Sequence, residues 1–305
     1  MKYFLGLVSP IQLTIYKSTN SNKEMKENII ISNQIEFENK KEIFKKEGIE
    51  KIHIISDFDR TLTKAFINGE KFPSIISQLY DGHHLTEDYT KKAQALYDKY
   101  HLIEINPNIP IEEKKKAMEE WWRTHKKLLI ESGLNLKDIQ DIVDNGKLEF
   151  REGATEFFDL TRDNAIPLVV FSSSGIGEAI PLYFKKIDKD YKNIHVITNS
   201  MKYDKKGKAI AIQEPIIHVF NKGEIALKGL PIMKELKDRK NILLLGDSLG
   251  DLDMIVGFNY DNVIRIGFYN YEEESLEDFK KNFDVIILND GDMGFVNELI
   301  QEVSD

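Results

Sequence analysis

The sequence predicts an α/β protein, a doubly wound parallel sheet with an α-helical subdomain inserted in it. Three observations predict this. Beyond Glu149, short apolar, β-branched runs alternate with segments of helical period, as expected of strands covered on both faces by crossover helices. An equivalent run, Lys51–Ser56, stands far upstream of that alternation. Between the two, from about residue 64 to 149, the chain shows helical periodicity and no convincing strand.

The first 17 residues read as one or two short strands, through Phe4–Val8 and Leu13–Tyr16, and Ser18–Asn28 as a polar linker. Lys51–Ser56 is the first buried strand. Thr86–Lys99 carries Ala93, Leu96 and Tyr97 at helical spacing, continued by Tyr100. Ile111–Glu131 is the clearest helix: Pro110 precedes its first turn, Glu112 and Glu113 sit at its positive end, and Gly133 follows it. Further strands are expected at Pro167–Phe171, Ile194–Thr198, Asn241–Leu245, Val263–Ile266 and Val285–Leu288. Helices are expected at Thr155–Arg162, Gly177–Lys186, Glu224–Lys237 and Gly294–Val303.

Composition removes several functions. A chain of 305 residues can bury roughly three quarters of its unfolded surface and needs no staple. With no cysteine there is no disulfide framework, thiolate metal site or thiol nucleophile. Lys and Arg number 42 against 51 Asp and Glu, a formal net charge of −9 without a basic tract, so no nucleic-acid partner is expected. The apolar run Tyr3–Val8 is far shorter than the ~20 residues of a membrane span, and no cleavage pattern follows it. A soluble, cytoplasmic protein without a membrane partner is the expectation.

Chemistry has four places to reside. Asp57 and Asp59 follow the first buried strand, and two carboxylates on one strand-end loop repel unless a cation compensates; the plain alternative is one capping residue and one solvated acid. Ser172-Ser-Ser-Gly175-Ile-Gly177 follows the strand at 167–171 and offers hydroxyls and backbone N–H groups to an oxyanion. Ile180 stands where a dinucleotide fingerprint needs glycine, and no Gly-x-Ser-x-Gly elbow is present. Lys222 precedes a helix and by itself reads as a surface charge. Gly246-Asp247-Ser-Leu-Gly-Asp251 again sets two acids behind a buried strand, or forms only an acidic turn and cap. Together these loops can hold Mg²⁺ with carboxylates and phosphate oxygens with hydroxyl and ammonium donors.

Taken in order, these four segments resemble the motifs of the haloacid dehalogenase superfamily, and more narrowly the cytosolic pyrimidine 5′-nucleotidase (type III) family. Ile103-Glu-Ile-Asn-Pro107, Glu119-Glu-Trp-Trp122, Ile217-His-Val-Phe-Asn-Lys222 and Leu243-Leu-Leu-Gly-Asp-Ser248 extend the likeness over about residues 30 to 300. The resemblance implies a core of residues 29–66 and 150–305, a helical cap over 67–149 closing on the site, and an N-terminal extension, 1–28, without assigned role.

It further implies a Mg²⁺-dependent phosphohydrolase acting on pyrimidine or 7-methylguanosine monophosphates. Asp57 would be the nucleophile, already ionised at neutral pH, and Asp59 the general acid and base, which requires a raised pKa. Asp57, Asp247 and the Asp59 carbonyl would bind the metal, with Asp251 anchoring Lys222 or a metal-bound water. Lys222 and a serine would hold the phosphate; counting from the strand favours Ser172, counting back from Gly175 favours Ser173. Glu104 would contact the base, and one of Trp121 and Trp122 would stack on it, Trp122 being the candidate. His125 stands where relatives carry a smaller residue, which bears on base selectivity. The rivals are the same core acting on a sugar phosphate, phosphoserine or phosphoprotein, and a non-catalytic binding module. The expected partner is a small phosphomonoester, and a monomer is favoured. The remaining histidines, including His83 and His84, are expected at the surface or in caps.

Overall fold

A computed structural model describes residues 28–72, 74–80, 84–225, 231–270 and 275–304. The expected N-terminal strands, most of the polar linker and His83 lie outside the described residues.

Among the described residues eleven strands occur in chain order: β1 (Ile29–Ile31), β2 (Ile52–Asp57), β3 (Phe66–Ile67), β4 (Glu70–Lys71), β5 (Leu168–Ser172), β6 (Ile194–Thr198), β7 (Ser200–Tyr203), β8 (Ala209–Gln213), β9 (Asn241–Gly246), β10 (Asn262–Tyr269) and β11 (Val285–Leu288). Seven form one sheet, in the order β1-β11-β10-β9-β2-β5-β6. All its neighbours run parallel except β1, which closes the edge antiparallel to β11.

The β-branched runs become the central strands because every residue of β2, β5 and β9 is buried. Alternate side chains feed two cores. Ile54, Leu168, Val170, Leu243 and Leu245 join Phe157, Phe158, Phe184 and Phe295 on one face. Ile55, Val169, Phe171, Ile242 and Leu244 join Ile232, Leu236 and Met254 on the other. Strand β2 sits between β9 and β5, with Ser56 opposite Leu245 and Asp57 opposite Phe171. The chain winds one way through β5 and β6, then the other way through β9 to β11, so the loops after β2, β5 and β9 meet at the switch of direction, where ligands of such sheets bind.

The helices are α1 (Gln34–Glu47), α2 (Tyr89–Ile105), α3 (Ile111–Glu131), α4 (Leu136–Asn145), α5 (Ala154–Asp163), α6 (Ala179–Lys186), α7 (Lys222–Ile225), α8 (Ile232–Leu236), α9 (Leu276–Asn282) and α10 (Gly294–Ser304). The chain leaves the sheet after β2 and rejoins it at a Thr63–Phe150 bridge, with α2, α3 and α4 in the excursion. Helix α3 has the expected bounds.

Three segments differ from the expectation. The helix expected over Glu224–Lys237 is helical at α7 and α8, with 226–230 outside the described residues. Helix α1 buries only Phe37 and Phe44, too sparse an apolar stripe to announce a helix. The hairpin β7–β8, not among the expected strands, has a lysine-rich turn and docks on the excursion: Leu136 N–H donates to the Gly207 carbonyl at 2.9 Å, Ala209 N–H to the Leu134 carbonyl at 2.9 Å, and the Lys126 Nζ to the Ser200 carbonyl at 3.1 Å.

Candidate active site

Asp57 ends β2 and is buried. Lys222 opens α7, is 3% exposed, and reaches back so that its Nζ donates to Asp57 Oδ1 at 2.5 Å and to Asp251 Oδ1 at 2.7 Å. The other oxygen of Asp251 accepts from the N–H groups of Asp247 and Ser248, both at 3.1 Å, and from the Ser248 hydroxyl at 2.9 Å. Position 246 admits only glycine, because a Cβ there would lie 2.5 Å from Asp251 Cβ. Acids expected to meet from separate loops therefore do meet. Asp57, Asp247 and Asp251 each bring an oxygen within 4.8 Å of the others. The carboxylate of Asp59 stands outside that cluster and lines the same cavity, half-buried.

The electrostatics are lopsided. Burial pushes Asp57 up, Lys222 pulls it back, Asp251 and Asp59 push again, and it titrates at about 7. Asp247 stands well above the ordinary carboxylate range through burial and then through Asp251 and Asp57. Burial also raises Asp59, against Arg60 and Lys222. Burial alone would lower Lys222, but Asp251 and Asp57 overcome it and hold the ammonium charged. One ammonium does not balance three clustered carboxylates, and a donor set made only of carboxylate oxygens suits a hard divalent cation.

The serine loop separates the two candidates. Ser172 belongs to β5, is 1% exposed, and its hydroxyl accepts from the Ser174 N–H at 3.1 Å. Ser173 and Ser174 line the cavity, and Ser172 is not in its wall. Counting from the strand thus selects a residue turned into the sheet. Gly175 supports the excursion from below: a Cβ there would lie 2.3 Å from Ile76 Cδ1 and 2.6 Å from Trp122 Cζ3.

The cavity, about 600 Å³, runs from these acids to the helices of the excursion, where Glu104, Tyr97, Trp121, Trp122 and His125 form its wall. Their rings make a ladder. Tyr100 and Trp121 are stacked 5.9 Å apart, Trp121 and Trp122 5.7 Å apart at 12°, Trp122 and His125 5.9 Å apart at 7°. Trp121 packs with Tyr100 and Met118 in a buried cluster, whereas Trp122 is half-buried. His125 is buried, with Nε2 3.0 Å from the Tyr89 hydroxyl; burial, then Lys126, lowers it to about 4, so its ring is neutral near pH 7. One Glu104 oxygen lies 3.0 Å from His101 Nδ1. His84 pairs with Asp141 at 2.7 Å, away from the cavity.

Sequence reasoning missed Arg60 and Tyr80, which also line the cavity. It also missed Asp290, whose carboxylate accepts from the N–H groups of Ala65 and Phe66 at 2.8 and 3.0 Å. Asn289-Asp290-Gly291 follows β11 as the other acidic loops follow β2 and β9, a signal that could have found it.

A family model described as Pyrimidine 5′-nucleotidase (UMPH-1) matches residues 60–304. The 7-methylguanosine phosphate-specific 5′-nucleotidase of Gallus gallus is 33% identical over 261 residues, 85% of this chain and 90% of that protein. The Homo sapiens protein of the same description is 32% identical over 261 residues, 85% and 87% of the two chains. A crystal structure of cytosolic 5′-nucleotidase IIIB bound to cytidine matches with a TM-score of 0.80 at 27% identity, over 91% of this chain and 94% of that one. A HAD family hydrolase from Salmonella enterica shares the fold, with a TM-score of 0.52 at 14% identity over 82% of this chain and 71% of that one. The protein is therefore a member of the pyrimidine 5′-nucleotidase (UMPH-1) family of phosphoric monoester hydrolases.

Proposed function

We propose that the protein removes the 5′-phosphate of nucleoside monophosphates of the pyrimidine or 7-methylguanosine type, through an aspartyl-phosphate on Asp57. One observation carries this: a buried ammonium touches a strand-end aspartate at 2.5 Å, at the foot of a cavity whose far wall is aromatic and bears a carboxylate. Relatives named for 7-methylguanosine phosphate and a neighbour holding cytidine support the substrate class.

Asp57 attacks phosphorus with one carboxylate oxygen while Lys222 holds the other. The bond from phosphorus to the ester oxygen breaks, and Asp59, whose carboxyl burial raises above its ordinary value, gives that oxygen a proton. Asp59 then takes a proton from a water, which attacks the aspartyl-phosphate; the bond to Asp57 breaks and phosphate leaves. Lys222 and Ser173 hold the equatorial oxygens as charge spreads onto them. Asp57, Asp247 and the Asp59 carbonyl would bind Mg²⁺, with Asp251 beside them; when bound, the ion offsets repulsion between phosphate and carboxylates. Asp251 keeps Lys222 in place.

Residues 67–149 act as the cap, excluding water and selecting the leaving group. Glu104 accepts hydrogen bonds from N–H groups of the base, and Trp122 offers a ring face to it. That wall favours a base over a sugar phosphate, phosphoserine or phosphoprotein. Among the described residues no helix is long and apolar enough to cross a membrane, and with relatives described as cytosolic we place the protein in the cytoplasm, as a monomer.

A phosphate-release screen over nucleotides and other phosphoesters, with and without Mg²⁺, tests the proposal. Asp57→Asn is expected to abolish release while the protein stays folded. Near-normal turnover by that variant would refute the covalent route.

A further inference from the structure

The turn after Asp59 is held by groups that never reach the cavity. Arg60 has a φ of 62°, a left-handed conformation that L-residues keep only under constraint. The constraint is visible. Arg60 N–H donates to Thr63 Oγ1 at 2.8 Å. Its carbonyl accepts from Arg151 Nη2 and, at 2.9 Å, from Asn270 Nδ2. The next carbonyl, Thr61, accepts from Arg151 Nε at 2.8 Å.

Arg151 is fully enclosed, its side chain 0% exposed. Its remaining donor bonds go to Asp290 Oδ1 and the Gly291 carbonyl, both at 2.8 Å, and to Asn270 Oδ1 at 2.9 Å. Its guanidinium lies 4.3 Å over the Phe268 ring. Asp290 in turn holds the Ala65 and Phe66 amides. Two distant segments, at Arg151 and Asn270, thus converge on the two peptide carbonyls that follow Asp59, and a third, at Asp290, holds Arg151 itself. Burying a guanidinium costs desolvation that packed apolar side chains avoid, so stability alone does not explain the choice. A planar fork that grips two successive carbonyls at fixed angles does.

Resting on the assignment of Asp59 as proton donor, we propose that Arg151, with Asn270 and Asp290, is a positioning unit that locks the Arg60–Thr61 turn and so aims the Asp59 carboxyl at the leaving oxygen. None of the three touches substrate in this scheme. Their loss acts through loop geometry, where about 1 Å of displacement is worth up to about a hundredfold in rate.

The test uses the full chain carrying Arg151→Lys, which keeps the charge and loses the fork, or Asn270→Ala, which removes one donor from the Arg60 carbonyl. Two readouts are taken well below the melting temperature: kcat and KM for phosphate release from cytidine 5′-monophosphate and 7-methylguanosine 5′-monophosphate, and amide hydrogen exchange. Both variants are expected to lose about tenfold or more in kcat with KM changed less than about threefold, and to exchange faster only over residues 58–64. A kcat within about twofold of wild type, or faster exchange spread evenly over the sheet, overturns the proposal. Should Arg151→Lys fail to fold, Asn270→Ala decides alone. If the wild-type protein releases no phosphate from nucleotides, the assigned reaction fails and the turn is judged by exchange: protection at 58–64 unchanged in Asn270→Ala would overturn the lock.

Discussion

Gly175→Ala is the most informative single perturbation, because it adds one methyl group where the helical excursion touches the serine loop after β5. That methyl would meet Ile76 Cδ1 at 2.3 Å and Trp122 Cζ3 at 2.6 Å, where ordinary contacts are about 3.5–4.0 Å. The isoleucine tip can rotate away. The indole is flanked by Trp121 and His125, with ring centroids at 5.7 and 5.9 Å, so moving it disturbs the stacked ladder. About 1 Å of relief must then come from the loop or from the whole ladder. Overpacking of this kind costs about 1–3 kcal/mol, and a loop shift of that size moves Ser173 enough to cost up to about a hundredfold in rate. The assay is kcat/KM on p-nitrophenyl phosphate, which has no base to stack, alongside thermal melting. Adding Trp122→Ala to Gly175→Ala should restore part of the lost stability, with a coupling of about 0.5–3 kcal/mol. A Gly175→Ala protein with unchanged melting temperature and kcat/KM within about twofold of wild type would refute this account of the contact.

Three other outcomes are expected. Lys222→Met strips the ammonium from Asp57 and Asp251 and should destabilise the protein by about 3–5 kcal/mol in urea unfolding near pH 7, since it leaves buried carboxylates unpaired; an unchanged midpoint would contradict the burial described. In metal-free protein, Asp57 holds its proton up to about pH 7 when folded, against 3.8 unfolded, so its contribution to stability falls as pH rises through that window. Melting temperatures in a chelator should therefore decline from about pH 4 to 7, and Mg²⁺ should raise them more at pH 8 than at pH 5; an equal rise at both would contradict a carboxylate-bound ion. His125 is neutral near pH 7, so His125→Ser should change the kcat/KM ratio between cytidine and 7-methylguanosine monophosphates by about tenfold or more without altering the pH profile between pH 6 and 8. A ratio unchanged within about twofold would remove His125 from base selection.

The legible part of the fold is that which burial dictates locally. β2, β5 and β9 read as continuous β-branched and leucine runs because both faces are covered, and the acids at their ends stand out against those runs. Helix α3 announces itself by Pro110, its two early glutamates and Gly133. What escaped is stabilised by distant partners. Helix α1 buries two phenylalanines, and the β7–β8 hairpin, with a lysine-rich turn between its strands, is held where Gly207 and Ala209 bond Leu136 and Leu134. Arg151 is one arginine among charged neighbours until the fold encloses it. Of the two candidate serines, Ser172 ends β5 and is buried while Ser173 lines the cavity, a difference that the placement of the loop in the fold makes and local sequence does not.

By itself the chain specified the six parallel strands of the sheet but not its edge strand β1, the loops at their ends and the carboxylates, serines and lysine those loops bear, because hydrophobic period and turn chemistry act over a few neighbouring residues. Only the tertiary structure decided that Lys222 lies between Asp57 and Asp251, that Trp122 rests on Gly175, and that Arg151 grips the turn behind Asp59. Each of these joins segments tens to more than a hundred residues apart, and such contacts depend on strand order and sheet twist, which leave no mark on local composition.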